Sequence, residues 1–417
     1  MLREILMQAW IALIRQPFRS ALTMLGIVWG IVSVTVLFAY GSGFRSVLVS
    51  GFDAFGKSAV VCWPGQTSEQ AGGQRAGKKI RFEEADLDAV LTEAPLVRGG
   101  SLETVKWLSI SYGDRLANTA IRGVYPIYGE IRNEVPSDGR WISEEDFAER
   151  RRVVVLGGRL REQLFAGRPA IDQTVLISGV RFTVIGTLDR KLQFSNYFTS
   201  DDESAFIPYT TAGDMWNAKY ASVMVFAAVA PQFEKQAIDQ VRSTIGKRQR
   251  FSPTDEKAFS ADGREAFRPI IDGLTIGLQG LLVFIGTLTL GIGGVGVMNI
   301  MLVSVDERIR EIGLRRALGA KKRHIRLQFL AEAMALTLVG GAIGILLSYV
   351  VAAAAGQLPL MGALFEDTTG KGDITLVISP LSIIVSTIIL VFVGLLSGFI
   401  PASRAAKLDP SSALRYE

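Results

Sequence analysis

Four long stretches without a charged residue limit what this chain can become. They run over 20–44, 273–305, 333–365 and 374–403. A helix rises about 1.5 Å per residue and a bilayer core is about 30 Å thick, so each stretch is long enough to cross. Half of the chain is apolar (49%), yet 20% of it is charged. That mixture predicts a few membrane spans together with a sizeable water-exposed domain. Only the interval 45–272 is long enough for such a domain.

The segment between the second and third stretches orients the rest. From 304 to 326 there are eight Lys/Arg (Arg308, Arg310, Arg315, Arg316, Lys321, Lys322, Arg323, Arg326) against Asp306, Glu307 and Glu311. A short loop this basic is held on the cytoplasmic side. Ser304 and Glu307 have capping-box spacing, Glu311 precedes Arg315 by four, and Gly319 is placed to end a helix. The pattern predicts a helix with a narrow apolar face of Ile309, Ile312 and Leu318. A solvated loop that only sets topology is the plainer reading; a docking helix for a cytoplasmic partner is the sharper one.

With that loop inside, residues 1–19 form an amphipathic helix on the inner surface, 20–44 the first span, and 45–272 an extracytoplasmic domain. The second span with a stalk is 273–303, the coupling segment 304–326 and the third span 327–355. An outer loop at 356–379, the fourth span at 380–400 and a cytoplasmic tail at 401–417 complete the chain. Glu332 is expected in the first turn of the third span. Strand-like runs in 45–272 (58–63, 151–157, 173–179, 180–188, 222–230) alternate with helix-like ones (82–91 and 231–248, the latter ending near Gly246). Gly179 marks a hairpin. The fold class is thus a membrane protein of four transmembrane helices with a large mixed α/β domain between spans one and two, divided into two subdomains.

One cysteine, Cys62, and one histidine, His324, leave no disulfide, no histidine-based metal site and no catalytic triad to build. The net charge of +5 lies largely beside the apolar runs, where topology and anionic lipid account for it better than nucleic acid. No acid or base lies in the middle of a span, which argues against an ion-driven pump. GFDAFGKS (51–58) fits the P-loop pattern, but the run after it reads as a strand and its side is external, so a nucleotide site is not expected there. AGGQRAG (71–77) reads as a flexible loop. Gly26 and Gly30, Gly340 and Gly344, and Gly394 and Gly398 form G-x-x-x-G pairs, and Gly291 and Gly294 lie in the second span; these small residues are expected at helix-packing or dimer faces.

The blocks 19–34, 59–65, 139–147, 153–165, 180–191 and 201–212, then GVGVMNIMLVSVDERIREIGLRRALGAKKRHIRLQFLAEA (294–333) and GFIPASRAAKLDPSSALRYE (398–417), resemble the MacB/FtsX-like permeases of ABC transporters nearly end to end. The resemblance implies a porter-like base with an inserted sabre-like lobe. It also implies a dimer with a second permease copy, identical or paralogous. Cytoplasmic ABC ATPase subunits would carry ATP and magnesium, the chain itself binding no cofactor or metal. Only 19 residues precede the first span, so the ATPase is expected on a separate chain. It would dock on 304–320 and on the N-terminal helix. Glu307, Arg310, Glu311, Gly313, Arg315, Arg316, Gly319 and Ala320 match the coupling motif, with Gly313 permitting close approach to the ATPase. The implied activity is mechanotransmission in a bacterial inner membrane, exporting a drug, peptide or lipid-linked cargo with a periplasmic adaptor and outer-membrane channel. The alternative is an FtsX-like regulator of an extracytoplasmic hydrolase. A non-catalytic role is expected for the chain by itself.

Overall fold

In the computed structural model the described residues are 17–53, 55, 56, 58–191, 196–359, 372–409 and 413, with side chains from Met24 onward except at 53, 264 and 266. Residues 1–16 of the amphipathic helix expected over 1–19, half of the outer loop (360–371) and the end of the tail lie outside them.

Helix α1 runs Pro17–Asp53, past the expected end at Phe44, because nothing between Phe44 and Asp53 breaks a helix. Strand β1 (Ala59–Pro64) follows, so the P-loop-like segment lacks the helix a phosphate cradle needs. Then come α2 (Glu84–Glu93), the long β2 (Val97–Tyr112) and β3 (Arg115–Val124). Short pieces follow: α3 (Tyr128–Ile131), β4 (Pro136–Gly139), α4 (Glu144–Ala148), β5 (Val153–Leu156) and α5 (Gly158–Phe165). Strands β6 (Thr174–Ile177) and β7 (Val180–Leu188) form a hairpin whose turn residues, Ser178 (φ 48°) and Gly179 (φ 83°), both adopt positive φ. Strand β8 (Ala205–Pro208), α6 (Tyr209–Met215), β9 (Val223–Ala228), α7 (Glu234–Gln249) and β10 (Phe259–Gly263) complete this part. Helix α7 passes Gly246 and stops where Arg250 turns left-handed (φ 57°).

The ten strands form one sheet in the order β10-β1-β9-β2-β3-β8-β5-β7-β4, with β6 bridging β2 and β7. Strands β10, β1, β9 and β2 are all antiparallel neighbours and, with α2 and α7, make a β-α-β–β-α-β base. Everything from β3 to α6 is an insertion between β2 and β9. The expected two subdomains are therefore two lobes of a continuous sheet. Strand β2 joins them: Val97–Glu103 pairs with β9, while Ile110 and Ser111 pair with β6. Strand β9 is buried on both faces: Met224, Phe226 and Ala228 pack in the core under α2 and α7, and Val223, Val225 and Ala227 in the core opposite.

The remaining helices are α8 (Arg264–Glu307), α9 (Ile309–Ala317), α10 (Lys322–Ala355) and α11 (Pro380–Lys407). A two-stranded ribbon, β11 (Gln357–Leu358) with β12 (Ile374–Thr375), precedes α11. Helix α8 begins before the expected Gly273. The third span's helix begins at Lys322, so Glu332 falls in its third turn and not its first. Residues 401–407, expected as tail, extend α11. Four helices, over Met24–Phe52, Phe267–Glu307, Lys322–Ala355 and Pro380–Lys407, are long and apolar enough to cross a membrane.

The chain divides into two compact units, one of 47–272 with 361–372, the other of 1–46, 273–360 and 373–417. The helical unit packs through its small residues. A side chain at Gly30 would stand 2.8 Å from Leu290 Cα, at Gly26 3.3 Å from Gly293 Cα, at Gly344 2.9 Å from Ile31 and at Gly340 3.2 Å from Ile27. Gly294 meets Ser397 and Val393, Gly394 meets Thr337, and Gly398 meets Ala333. These seven glycines bring helices of this same chain together. Gly291 differs: among the described residues nothing lies within 4 Å of where its Cβ would be.

Candidate coupling surface and a buried ion cluster

Helix α9 is set by three local features. Ser304 and Glu307 do not form a capping box, because α8 continues through both; Arg308 breaks the path with φ −109° and no side-chain cap. Ile309 and Ile312 are buried, 8% and 3% exposed, in the core of the helical unit. At the far end Gly319 (φ 96°) donates to Arg316 O at 3.1 Å and Ala320 N donates to Arg315 O at 3.0 Å, a Schellman closure. Ala320 then packs against the core.

The expected apolar face of Ile309, Ile312 and Leu318 does not exist. At 100° per residue Leu318 lies opposite the two isoleucines, and it is 81% exposed. Leu314, one turn earlier, is 52% exposed. This i, i+4 leucine pair is the feature that reading the sequence missed, although helical periodicity alone separates it from Ile309 and Ile312. Arg310, Glu311, Lys321, Lys322 and Arg323 are exposed nearby, as are Glu307 and Gly319.

Several residues of the motif are engaged within the chain. Arg316 Nη1 donates to Ala406 O at 2.8 Å. Arg315 donates to Glu311 Oε1 at 2.6 Å and to Gln328 Oε1 at 2.8 Å. Arg308 pairs with the buried Glu332 at 3.2 Å, and Arg404 with Asp306 at 3.5 Å. Gly313 faces inward: a Cβ there would be 2.5 Å from Ala413 Cβ. The close approach it permits is to the chain's own tail. What remains outward is a pair of leucines ringed by charge on a braced helix. Lys321, Lys322 and Arg323 cap the positive end of the α10 dipole, an unfavourable placement for folding.

A second constellation lies in the sheet unit. Arg122 and Arg132 are fully buried. Arg122 donates to Asp201 Oδ1 at 2.9 Å and to the main-chain oxygens of Tyr197 (2.8 Å) and Thr199 (2.6 Å). Its Nε stands 3.6 Å from Glu103, which accepts from Tyr197 Oη at 2.6 Å. Arg132 donates to the other oxygen of Asp201 at 3.0 Å and to Phe55 O at 2.7 Å, with its guanidinium 3.4 Å from the Phe55 ring centre. Lys191 pairs with Glu134 at 2.5 Å. Burial by itself would raise the Asp201 carboxyl, but Arg132, Lys191 and Arg122 hold it well below the usual carboxylate range. Burial pushes Glu134 up to about 8, only partly offset by Lys191. Such a cluster positions structure: it clamps Phe55, two residues beyond α1, and the 197–201 segment to β3. Among the described residues no group of His, Cys, Asp and Glu is arranged to hold a metal.

Comparison with known proteins agrees with this architecture. The profile described as MacB-like periplasmic core domain matches residues 20–244, and that described as FtsX-like permease C-terminal matches 283–410. The macrolide export ATP-binding/permease protein MacB of Bdellovibrio bacteriovorus is 31% identical over 99% of this chain and 62% of its own length. A probable export ATP-binding/permease protein of Pseudomonas fluorescens is 33% identical over 99% of this chain and 60% of its own. The chain thus spans about 60% of the length of these curated relatives. Among solved structures, the periplasmic region of MacB from Actinobacillus actinomycetemcomitans overlaps 54% of this chain and 98% of its own, at 16% identity and a TM-score of 0.41. The core-domain match covers more than half of the chain and the permease match most of the rest, so the chain belongs to the MacB/FtsX-like family of ABC transporter permeases, as a membrane protein with an extracytoplasmic domain.

Proposed function

We propose that this chain is the permease component of a MacB-like ABC transporter in a bacterial inner membrane. A cytoplasmic ATPase, carrying ATP and magnesium, docks on α9. Its hydrolysis cycle is transmitted along α1 and α8 to the extracytoplasmic domain, which drives export of a drug, peptide or lipid-linked cargo. The chain itself performs no chemistry in this reading. A second permease copy, a periplasmic adaptor and an outer-membrane channel complete the assembly.

The observation that carries the reading is the exposed Leu314–Leu318 pair on a helix whose opposite face is buried. An apolar anchor within a charged rim is the usual centre of a protein interface. Glu311, Arg310 and the lysines supply that rim. Helix α8 spans 44 residues without interruption, suiting it to carry displacement from its end beside α9.

The test is ATPase activity of the cognate ATPase with and without this chain in lipid nanodiscs. Stable complex formation and a changed rate are expected, both lost in Leu314→Glu. An ATPase indifferent to the chain ends the proposal. Cargo movement in proteoliposomes, scored in the same preparation, separates export from regulation of an extracytoplasmic hydrolase.

A further inference from the structure

Strand β1 builds one wall of a cavity of about 180 Å³ in the sheet unit. Its lining is aromatic: Phe52, Phe55, Trp63, Tyr197 and Phe267, with the carboxylate of Asp262 among them. Period-two alternation explains the set. Val60 and Cys62 enter the core under α2 and α7, so Val61 and Trp63 project to the other face. The antiparallel register places Asp262 of β10 directly opposite Val61, hence on that same face. The rings brace one another: Trp63 lies 5.8 Å and Phe55 6.0 Å from Tyr197, both edge-on, and Phe52 lies 5.9 Å from Phe267.

The charges around the cavity are unequal. The Tyr197 hydroxyl is turned away, donating to Glu103. Arg132, over the Phe55 and Tyr197 rings, shares Asp201 with Arg122. Asp262 forms no ion pair and no side-chain hydrogen bond among the described side chains. Partial burial holds its carboxyl above its ordinary value. A carboxylate at the exposed edge of an aromatic cavity, paired with no described side chain, is recognition chemistry for a cation with apolar substituents. The volume suits a small group, since a cavity of about 150 Å³ accepts benzene. Phe52 is the last residue of the first membrane-length helix and Phe267 the first of the second.

We propose that this cavity binds an alkylated or quaternary ammonium group, with the rings of Trp63 and Phe267 against its carbon surface and Asp262 as its counter-ion. A phospholipid headgroup and the basic end of a soluble amphiphile share this chemistry. The proposal does not rest on the coupling reading.

The experiment titrates the full chain in phosphatidylglycerol nanodiscs with choline and with its neutral isostere, 3,3-dimethylbutan-1-ol, by calorimetry. Choline is expected to bind at least about ten-fold tighter. Asp262→Asn, nearly isosteric, should reduce that ratio to about three-fold or less, and Trp63→Leu should weaken choline at least five-fold. Equal affinities of the two probes, an unchanged ratio in Asp262→Asn, or no binding in any lipid overturns the proposal. If Trp63→Leu does not fold, Asp262→Asn decides. Loss of free choline binding in phosphatidylcholine discs, retained in phosphatidylglycerol, assigns the site to a headgroup; equal binding in both assigns it to a soluble ligand. Leu314→Glu should leave choline binding unchanged.

Discussion

Arg316 Nη1 donates to the main-chain oxygen of Ala406 at 2.8 Å, tying α9 to the last turn of α11. The arginine satisfies a carbonyl that the helix end leaves without an intrahelical partner, and its charge complements the negative end of the dipole. It braces the surface from behind. Arg316→Ala should cost about 1.5–3 kcal/mol locally. Amide exchange in 309–320 and 403–408 should then accelerate with no ATPase present. Unchanged exchange in the isolated chain would assign Arg316 to the partner instead.

The leucine pair makes the opposite expectation. Leu314 and Leu318 are exposed, so Leu314→Glu and Leu318→Asp should leave the unfolding free energy within about 1 kcal/mol of wild type. Both should weaken ATPase association at least ten-fold, the range of a buried apolar anchor. Gly313→Trp is a poor docking probe, because it would displace Ala413 and loosen the loop. Association unaffected by either leucine change would move the docking site elsewhere.

Glycines of the spans should divide into two groups. Gly30→Leu forces a side chain into Leu290 and should cost about 1–3 kcal/mol or more, read as a lower melting temperature in detergent. Gly291→Leu enters open space and should melt like wild type. Its effect on subunit stoichiometry tests whether that face of α8 meets a second copy. Equal melting of the two variants would refute the packing assignment.

In the extracytoplasmic domain, Asp201→Asn leaves two arginines buried without their shared carboxylate. A loss of about 3–5 kcal/mol is expected. Thermal denaturation followed by circular dichroism measures it; a change below about 1 kcal/mol would show that water reaches the cluster.

Glu134 imposes a pH dependence. Its pKa in the folded chain is raised to about 8, above an unfolded value of about 4.3. Its stabilising contribution is full below the unfolded value and declines as pH rises through about 8. Unfolding free energy should fall between pH 5 and 8 by on the order of 2–4 kcal/mol, read as a lower melting temperature. Glu134→Gln should flatten that slope. A slope identical in the variant would place the titration on another group.

Much of the architecture was legible in the chain itself. Charge-free length located the membrane-length helices found among the described residues, because desolvating charge in hydrocarbon is costly whatever the tertiary fold. Gly319 announced the end of α9, and Gly179 the turn between β6 and β7, since both needed positive φ. Tertiary structure alone decided which basic residues are engaged within the chain. Arg315 and Arg316 read like Arg310, yet Gln328 and Ala406, brought up by other helices, engage them. Helix ends also escaped the sequence, because a helix continues past its apolar run until backbone geometry stops it. Neither the cluster of Arg122, Arg132, Glu103 and Asp201 nor the Asp262 cavity had a signature along the chain. Their members come from separate strands and loops, and only sheet pairing sets them within bonding distance.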